Sequence, residues 1–216
     1  MADRAKGLPI AREGVPFVAL TGLPAVLALW WGWSTLSMTL LLVSAYTAWF
    51  FRNPTRAIPE GEHVLVSPAD GKVVAVEQEF EPKFLKDHAI RVSIFLNIFN
   101  VHINRTPCAG MVLDCLYQPG CFIAANRPEA SIRNEQNAIL IERTDGKKIL
   151  CVQIAGLIAR RIVCWVTPGE RVAKGERFGL IRFGSRVDLF VPHYTHVTVK
   201  VGDSVYGGTS IIGELV

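Results

Sequence analysis

The feature that most restricts this chain is an uncharged stretch near its start: no Asp, Glu, Lys or Arg occurs between Glu13 and Arg52. A helix that is hydrophobic on every side has to be buried in a large core or in lipid. From Pro16 to Phe51 the stretch is almost wholly apolar, interrupted once at Trp30-Trp31-Gly32-Trp33-Ser34, a cluster of aromatics that favour membrane–water interfaces. Two spans follow, each of about 15–18 residues, slightly short of the roughly 20 that cross a hydrocarbon core. A thin hairpin and a re-entrant wedge both fit. Arg4, Lys6 and Arg12 precede the pair and Arg52 and Arg56 follow it, so both ends are expected on the cytoplasmic face of the inner (plasma) membrane. A cleaved signal peptide fits less well, because the apolar run is more than twice the roughly 7–15 residues of its hydrophobic region.

At 216 residues the chain has room for one soluble domain beside this appendage. The expected division is an N-terminal helical membrane hairpin over residues 1–52 and a soluble domain over 53–216. That domain shows short β-branched and aliphatic runs bounded by Gly, Pro, Asp and Asn, such as Lys72–Val76, Arg91–Leu96, Ala138–Ile141, Ile149–Ile154 and His196–Lys200. Helix-length periodic stretches are few, so the fold class is mostly β, a sandwich or distorted barrel. Residues 166–175 and 199–208 share the spacing V-x-x-G-x-x-V-x-x-G, an internal hairpin repeat, and Ser67–Val73 reads as a looser relative. Such hairpins resemble the barrel-sandwich hybrids of biotinyl and lipoyl carriers, in fold only. A carrier needs a lysine at a hairpin tip in a Met-Lys-Met-like setting, and the chain has no Met-Lys pair.

The formal charge is +4, with basic residues scattered singly or in pairs such as Arg160-Arg161. Without aromatic interleaving this is no nucleic-acid platform, and a mild positive balance beside a membrane segment suits anionic lipid headgroups better. Cys108, Cys115, Cys121, Cys151 and Cys164 are odd in number and form no C-x-x-C pair, so neither a zinc site nor a disulfide framework is indicated. They read as reduced residues, mostly in the core.

The chemistry is carried by Lys174-Gly-Glu-Arg-Phe-Gly-Leu-Ile-Arg-Phe-Gly184-Ser185-Arg-Val-Asp-Leu-Phe190. Gly-Ser alone is a common turn dipeptide. The stretch, however, resembles the self-processing segment of phosphatidylserine decarboxylases, K-G-x-x-x-G-x-x-x-x-G-S followed by an apolar strand. Ser67-Pro68-Ala69-Asp70-Gly71 is similar to that family's P-A-D-G segment, and Phe95–His102 to its His-bearing strand and loop. Tyr117-Gln118-Pro119-Gly120 with Asn126, and Arg133-Asn134-Glu135, resemble two further segments. Five ordered matches are specific in combination.

The resemblance implies a proenzyme that cuts itself between Gly184 and Ser185 into chains 1–184 and 185–216, which stay together as a heterodimer. Ser185 then becomes a covalent pyruvoyl group, and no metal is needed. Through a Schiff base with that group, phosphatidylserine, an anionic phospholipid, is converted to phosphatidylethanolamine. The resemblance also implies a functional histidine at His102, expected to return the proton after decarboxylation, and an aspartate at Asp70 that assists processing. Where longer members carry a second histidine three residues on, this chain has Arg105, which cannot be a general base. The processing base is thereby left open between Asp70 and His102, and Arg105 becomes a candidate for the substrate carboxylate or phosphate.

His193 and His196 stand at a spacing that points them to opposite faces of a strand, with no further ligand types nearby in sequence, and His63 and His88 read as solvated loop residues. A pyruvoyl enzyme acting on a soluble amino acid is the rival activity, and the membrane segment argues against it. Exposed edge strands of small β domains pair across two-folds, so a homodimer is a further expectation.

Overall fold

The computed structural model of the protein describes residues 8–125, 127, 129–157, 161–182 and 184–216. Arg4, Lys6, Asn126, Arg160 and Phe183, singled out above, lie outside the described residues. The chain divides into two compact units, 1–55 and 56–216.

In the first unit, α1 (Val15–Trp30) and α2 (Ser34–Phe50) are joined by a turn in which Gly32 takes φ +78°, a left-handed angle that suits glycine. They run antiparallel: Ser37 Oγ donates to Ala25 O (2.9 Å) and Ser44 Oγ to Val18 O (3.2 Å), stepping back along α1 while stepping forward along α2. Small residues let the backbones approach, with Ala25, Ala28, Ser37 and Ser44 buried between the helices. Leu20, Leu23, Val26, Leu29 and Leu42 point outward and exposed, a distribution that water does not favour. Arg12–Trp30, 19 residues at mean hydropathy 1.5, is long and apolar enough to cross a bilayer, and α2 is shorter. At the open end, Ala11 N–H donates to Phe51 O and Asn53 N–H to Pro9 O, and Phe17 stacks on Phe51.

The second unit is built from short strands, as the β-branched runs predict. In chain order these are β1 (Val64–Val66), β2 (Gly71–Glu81), β3 (Asp87–Leu96), β4 (Ile103–Arg105), β5 (Gly110–Gln118), β6 (Gln136–Glu142) and β7 (Lys148–Ile154). There follow β8 (Ile162–Cys164), β9 (Arg171–Val172), β10 (Arg177–Ile181), β11 (Ser185–Pro192), β12 (His196–Val197), β13 (Ser204–Val205) and β14 (Ile211–Glu214). A one-turn helix, α3 (Ala130–Arg133), precedes β6. A curled sheet of order β13-β2-β3-β11-β7-β6-β5-β9 is accompanied by two three-stranded sheets, β4-β10-β8 and β1-β14-β12.

β11 lies at the centre of the large sheet, antiparallel to β3 along its whole length and to β7 from Arg186 to Phe190. Its side chains alternate between faces. Val187, Leu189 and Val191 enter the main core with Val92, Ile94, Ile139 and Cys151, whereas Phe190 joins Leu140, Leu150, Val152 and Ile154 in a second cluster. Both faces of the central strands are thus covered, which is why Ile149–Ile154 reads as a nearly continuous apolar run. Each such aliphatic side chain contributes about 1.5–3 kcal/mol. The five cysteines are free thiols; Cys108 and Cys151 belong to the core, Cys115 and Cys164 are half-buried, and Cys121 is exposed, an exception to the core reading. Burial pushes the Cys108 thiol up to about 12.

The hairpin repeat is expressed in three dimensions. Gly169, Gly175, Gly202 and Gly208 all take positive φ, between +75° and +101°. Gly169 N–H donates to Val112 O and Gly202 N–H to Val73 O, while Gly175 N–H donates to Thr106 O and Gly208 N–H to Ser67 O. Ser67–Val73 is therefore not a third hairpin but the segment on which hairpin 199–208 folds. Its counterpart is Thr106-Pro107-Cys108-Ala109-Gly110-Met111-Val112, with the same spacing. Gly71 and Gly110 each press against a neighbouring strand's carbonyl, of Phe95 and Glu142 respectively, where a Cβ has no room. The two copies differ where it matters chemically: the first has Asp70, the second Ala109.

Candidate functional site

Ser185 opens β11, opposite Leu96 of β3, and is fully buried. Its Oγ has no hydrogen-bond partner among the described residues. Burying a hydroxyl in that state is costly, so an unpartnered one at a strand start indicates a group kept available for chemistry. Gly184, just before it, takes φ +60°, and a Cβ there would meet nothing within 4 Å. The backbone angle explains glycine at 184 more directly than the clearing of a path to its carbonyl does.

His102 stands immediately before β4 and is 3% exposed. The turn below it is made by asparagines, Phe99 N–H donating to Asn97 Oδ1 (2.8 Å) and Asn97 N–H to Asn100 Oδ1 (2.9 Å). His102 Nδ1 lies 3.0 Å from Asn100 O, and Nε2 lies 3.4 Å from the Gly184 amide nitrogen. A carbonyl can only accept and an amide N–H can only donate, so this arrangement selects the neutral tautomer with Nδ1–H and a bare Nε2. The lone pair of a neutral imidazole is thus aimed at the Gly184 backbone.

Asp70 and Arg105 both touch the Gly207–Gly208 turn. Asp70 is 4% exposed; its Oδ2 receives Arg56 Nη2 at 2.7 Å and its Oδ1 the Gly207 N–H at 2.7 Å. Arg105 donates Nη1 to Gly175 O at 2.8 Å, and its side chain lies against Gly208. The Arg105 amide in turn donates to Pro68 O. The structure therefore ties His102 to Gly184, and ties Asp70 and Arg105 to the Gly207–Gly208 turn, with β4 and the residues before it connecting the two groups. His193 packs edge-on against Tyr194, while His196 pairs with Glu214. No group of three or more His, Cys, Asp or Glu among the described residues is arranged to hold a metal ion.

Sequence reasoning missed Gly156. An added Cβ at this position would collide with the Gly184 carbonyl oxygen, so the backbone after β7 lies directly against the bond in question. Only the pair Ala155-Gly156 at a strand end hinted at it, and close backbone approach cannot be read from one chain. The Arg133-Asn134-Glu135 and Tyr117–Gly120 segments gain a physical reading as well. Asn134 accepts the Ile123 N–H and donates to both Ile123 O and Ala155 O, and Glu135 Oε1 receives the Ile162 N–H. Gly120 presses on the Arg133 and Asn134 carbonyls. These residues pin the loops that flank Gly184. On the other side of β11, Arg186 is held by Asp188 (2.6 Å) and by Ser93 (2.8 Å), fixing the strand one residue beyond Ser185.

A buried hydroxyl with no competing bond, an adjacent glycyl carbonyl and a neutral imidazole form an arrangement suited to acyl transfer within the backbone. Comparison with known proteins agrees with the motifs. The family model described as phosphatidylserine decarboxylase matches residues 43–213. A protein of Syntrophus aciditrophicus named phosphatidylserine decarboxylase proenzyme is 50% identical over 205 residues, 94% of this chain and 96% of that one. Proteins of the same name from Desulfotalea psychrophila and Nitrosomonas eutropha are 44% and 45% identical, covering 97% and 95% of this chain and 98% and 94% of their own. With the match running through both the Gly184-Ser185 segment and the strands that bury it, this chain belongs to the phosphatidylserine decarboxylase family, a family of decarboxylases.

Proposed function

We propose that the protein matures by cutting its own backbone between Gly184 and Ser185 and then decarboxylates phosphatidylserine at residue 185. The observation that carries this reading is the buried Ser185 Oγ, without a hydrogen-bond partner among the described residues, beside a Gly184 segment that His102 Nε2 faces. In the first step Ser185 Oγ attacks the Gly184 carbonyl carbon and the peptide C–N bond breaks, moving the acyl group from nitrogen to oxygen. Removal of the Ser185 α-proton expels the Gly184 carboxylate and leaves dehydroalanine. Hydrolysis releases ammonia and leaves a pyruvoyl group on Arg186. His102 is the base we assign to this sequence, since its Nε2, which accepts the Gly184 N–H, already lies against the segment. Asp70 acts as a positioning residue, its bonds to Arg56 and Gly207 setting the floor beneath Pro68 and hence beneath the Arg105 backbone.

The residues fit a group of this size, because the space on the side-chain side of Gly184 is open and Ser185 is shut away from water. A pyruvoyl ketone supplies an electron sink, condensing with a primary amine and taking up the electron pair left as carbon dioxide departs. His102 then holds the proton that is returned to the substrate carbon. The apolar hairpin keeps the domain at the inner membrane with its catalytic unit on the cytoplasmic side, a reading supported by the span Arg12–Trp30 and the basic residues that flank the helices.

The test is an intact-mass spectrum of the purified protein: two chains are expected, 1–184 and 185–216, the second lighter by the nitrogen lost as ammonia. Borohydride added with the lipid should fix the lipid amine on the smaller chain. One uncut chain with full activity sinks the proposal. Gly156 offers a second check. A methyl at 156 fits only if the Gly184 carbonyl moves, and a misplacement of about 1 Å costs a positioned reaction about 100-fold. Gly156→Ala should therefore slow self-cleavage by about that factor, read as the decay of intact chain on a denaturing gel.

A further inference from the structure

Two loops meet at residue 184. The turn 97–100 reaches it through His102, and the segment after β7 reaches it through Gly156, which also packs on Ala125 of a third loop. Each of the first two carries large apolar side chains into solvent: Phe99 is 62% and Leu157 63% exposed, and Ile98 is 37% exposed. The turn 97–100 is tied by the Asn97 and Asn100 bonds, and Asn134 holds Ala155 at the start of the segment that carries Leu157. The charge on the same segments is one-sided. Residues 97–100, 121–133 and 155–162 contain four arginines and one acid, Glu129, and Arg127, Arg133 and Arg161 are exposed.

We infer that this end of the sandwich is a bilayer-contacting face, on which Ile98, Phe99 and Leu157 enter the hydrocarbon boundary and Arg127, Arg133 and Arg161 meet anionic headgroups. The inference rests on phosphatidylserine being the substrate. A two-chain lipid leaves a membrane only at a cost that grows with every methylene brought into water. Ser185 is fully buried, so the headgroup must pass between the loops that cover it while the acyl chains stay in the bilayer. Apolar side chains at the rim of that passage, beside arginines that favour an anionic surface, are what such docking requires.

The experiment uses the full chain in vesicles of phosphatidylserine and phosphatidylcholine containing a phosphatidylcholine with a diazirine near the end of one acyl chain. After illumination and digestion, adducts are expected on the peptides carrying residues 97–100 and Leu157, besides those from residues 15–50. Adducts confined to 15–50 overturn the inference. The double variant Phe99→Ser/Leu157→Ser should self-cleave normally, lose about tenfold in turnover of vesicle lipid, and turn over dispersed short-chain phosphatidylserine within about twofold of the parent. Equal losses on both substrates, or none on either, would show that these side chains do not serve docking. Failure of the parent protein to act on the dispersed lipid would instead strike at the substrate assignment.

Discussion

Replacing Ser185 with alanine leaves one uncut chain whose decarboxylase activity falls to background. In the proposed maturation the hydroxyl is the nucleophile of self-cleavage and the source of the ketone, so no other group can substitute for it. A denaturing gel and an intact mass equal to the encoded chain are the readouts. The substitution separates function from folding cleanly, because Ser185 Oγ makes no hydrogen bond among the described residues and its loss orphans nothing. Removing a buried, unsatisfied hydroxyl relieves about 1–3 kcal/mol of desolvation. The thermal midpoint of Ser185→Ala should accordingly match or exceed that of an uncut reference by a few degrees. A variant that still splits after residue 184, or one that unfolds much earlier, contradicts the site described here.

His102→Ala should accumulate as intact chain, its self-cleavage slowed by about 10²–10⁴-fold, the contribution of one general base. The substitution deletes two things at once, the proton acceptor and the partner of the Gly184 N–H. His102→Gln distinguishes them. Its side-chain oxygen can still receive an amide hydrogen, yet it takes no proton at any ordinary pH. If Gln stays uncut, His102 is a base; if Gln cleaves at the parent rate while Ala does not, the histidine only positions Gly184. Should both variants cleave normally and then turn over slowly, His102 serves the later proton return alone, the role that the family resemblance first suggested.

Local signals in the sequence carried the parts of the fold that local physics controls. The uncharged stretch after Glu13 became two apolar helices, since a long segment without charged residues has few other structures. The V-x-x-G hairpins were legible because each glycine sits at positive φ, a requirement of the turn itself. The kinship of Ser67–Val73 with Thr106–Val112 was harder to see, because it rests on where two prolines and two glycines meet other strands. Gly156 was invisible for the same reason: its lack of a side chain answers to a carbonyl 28 positions away, and nothing beside it in sequence records that. Arg105 illustrates the reverse case. Its charge suggested a ligand for substrate, a reading that stands, but nothing in the sequence announced that its Nη1 also donates to the Gly175 carbonyl, a bond that depends on hairpin 166–175 being in place.

The central seat of β11 bears on the lifetime of the protein. A cut after Gly184 falls at the first residue of that strand, so the ladders to β3 and β7 outlast it. The segment 185–216 that the proposed cut would release also supplies β13 to the large sheet, and β12 and β14 to another, and so is stitched into the domain at separate places. Two chains formed in that way could part only by unfolding the sandwich as a whole. Reassembly is then a meeting of two molecules, slower with every dilution, whereas the uncut chain refolds at any concentration. Maturation of this kind exchanges a reversible fold for one whose working life is set by the height of its unfolding barrier.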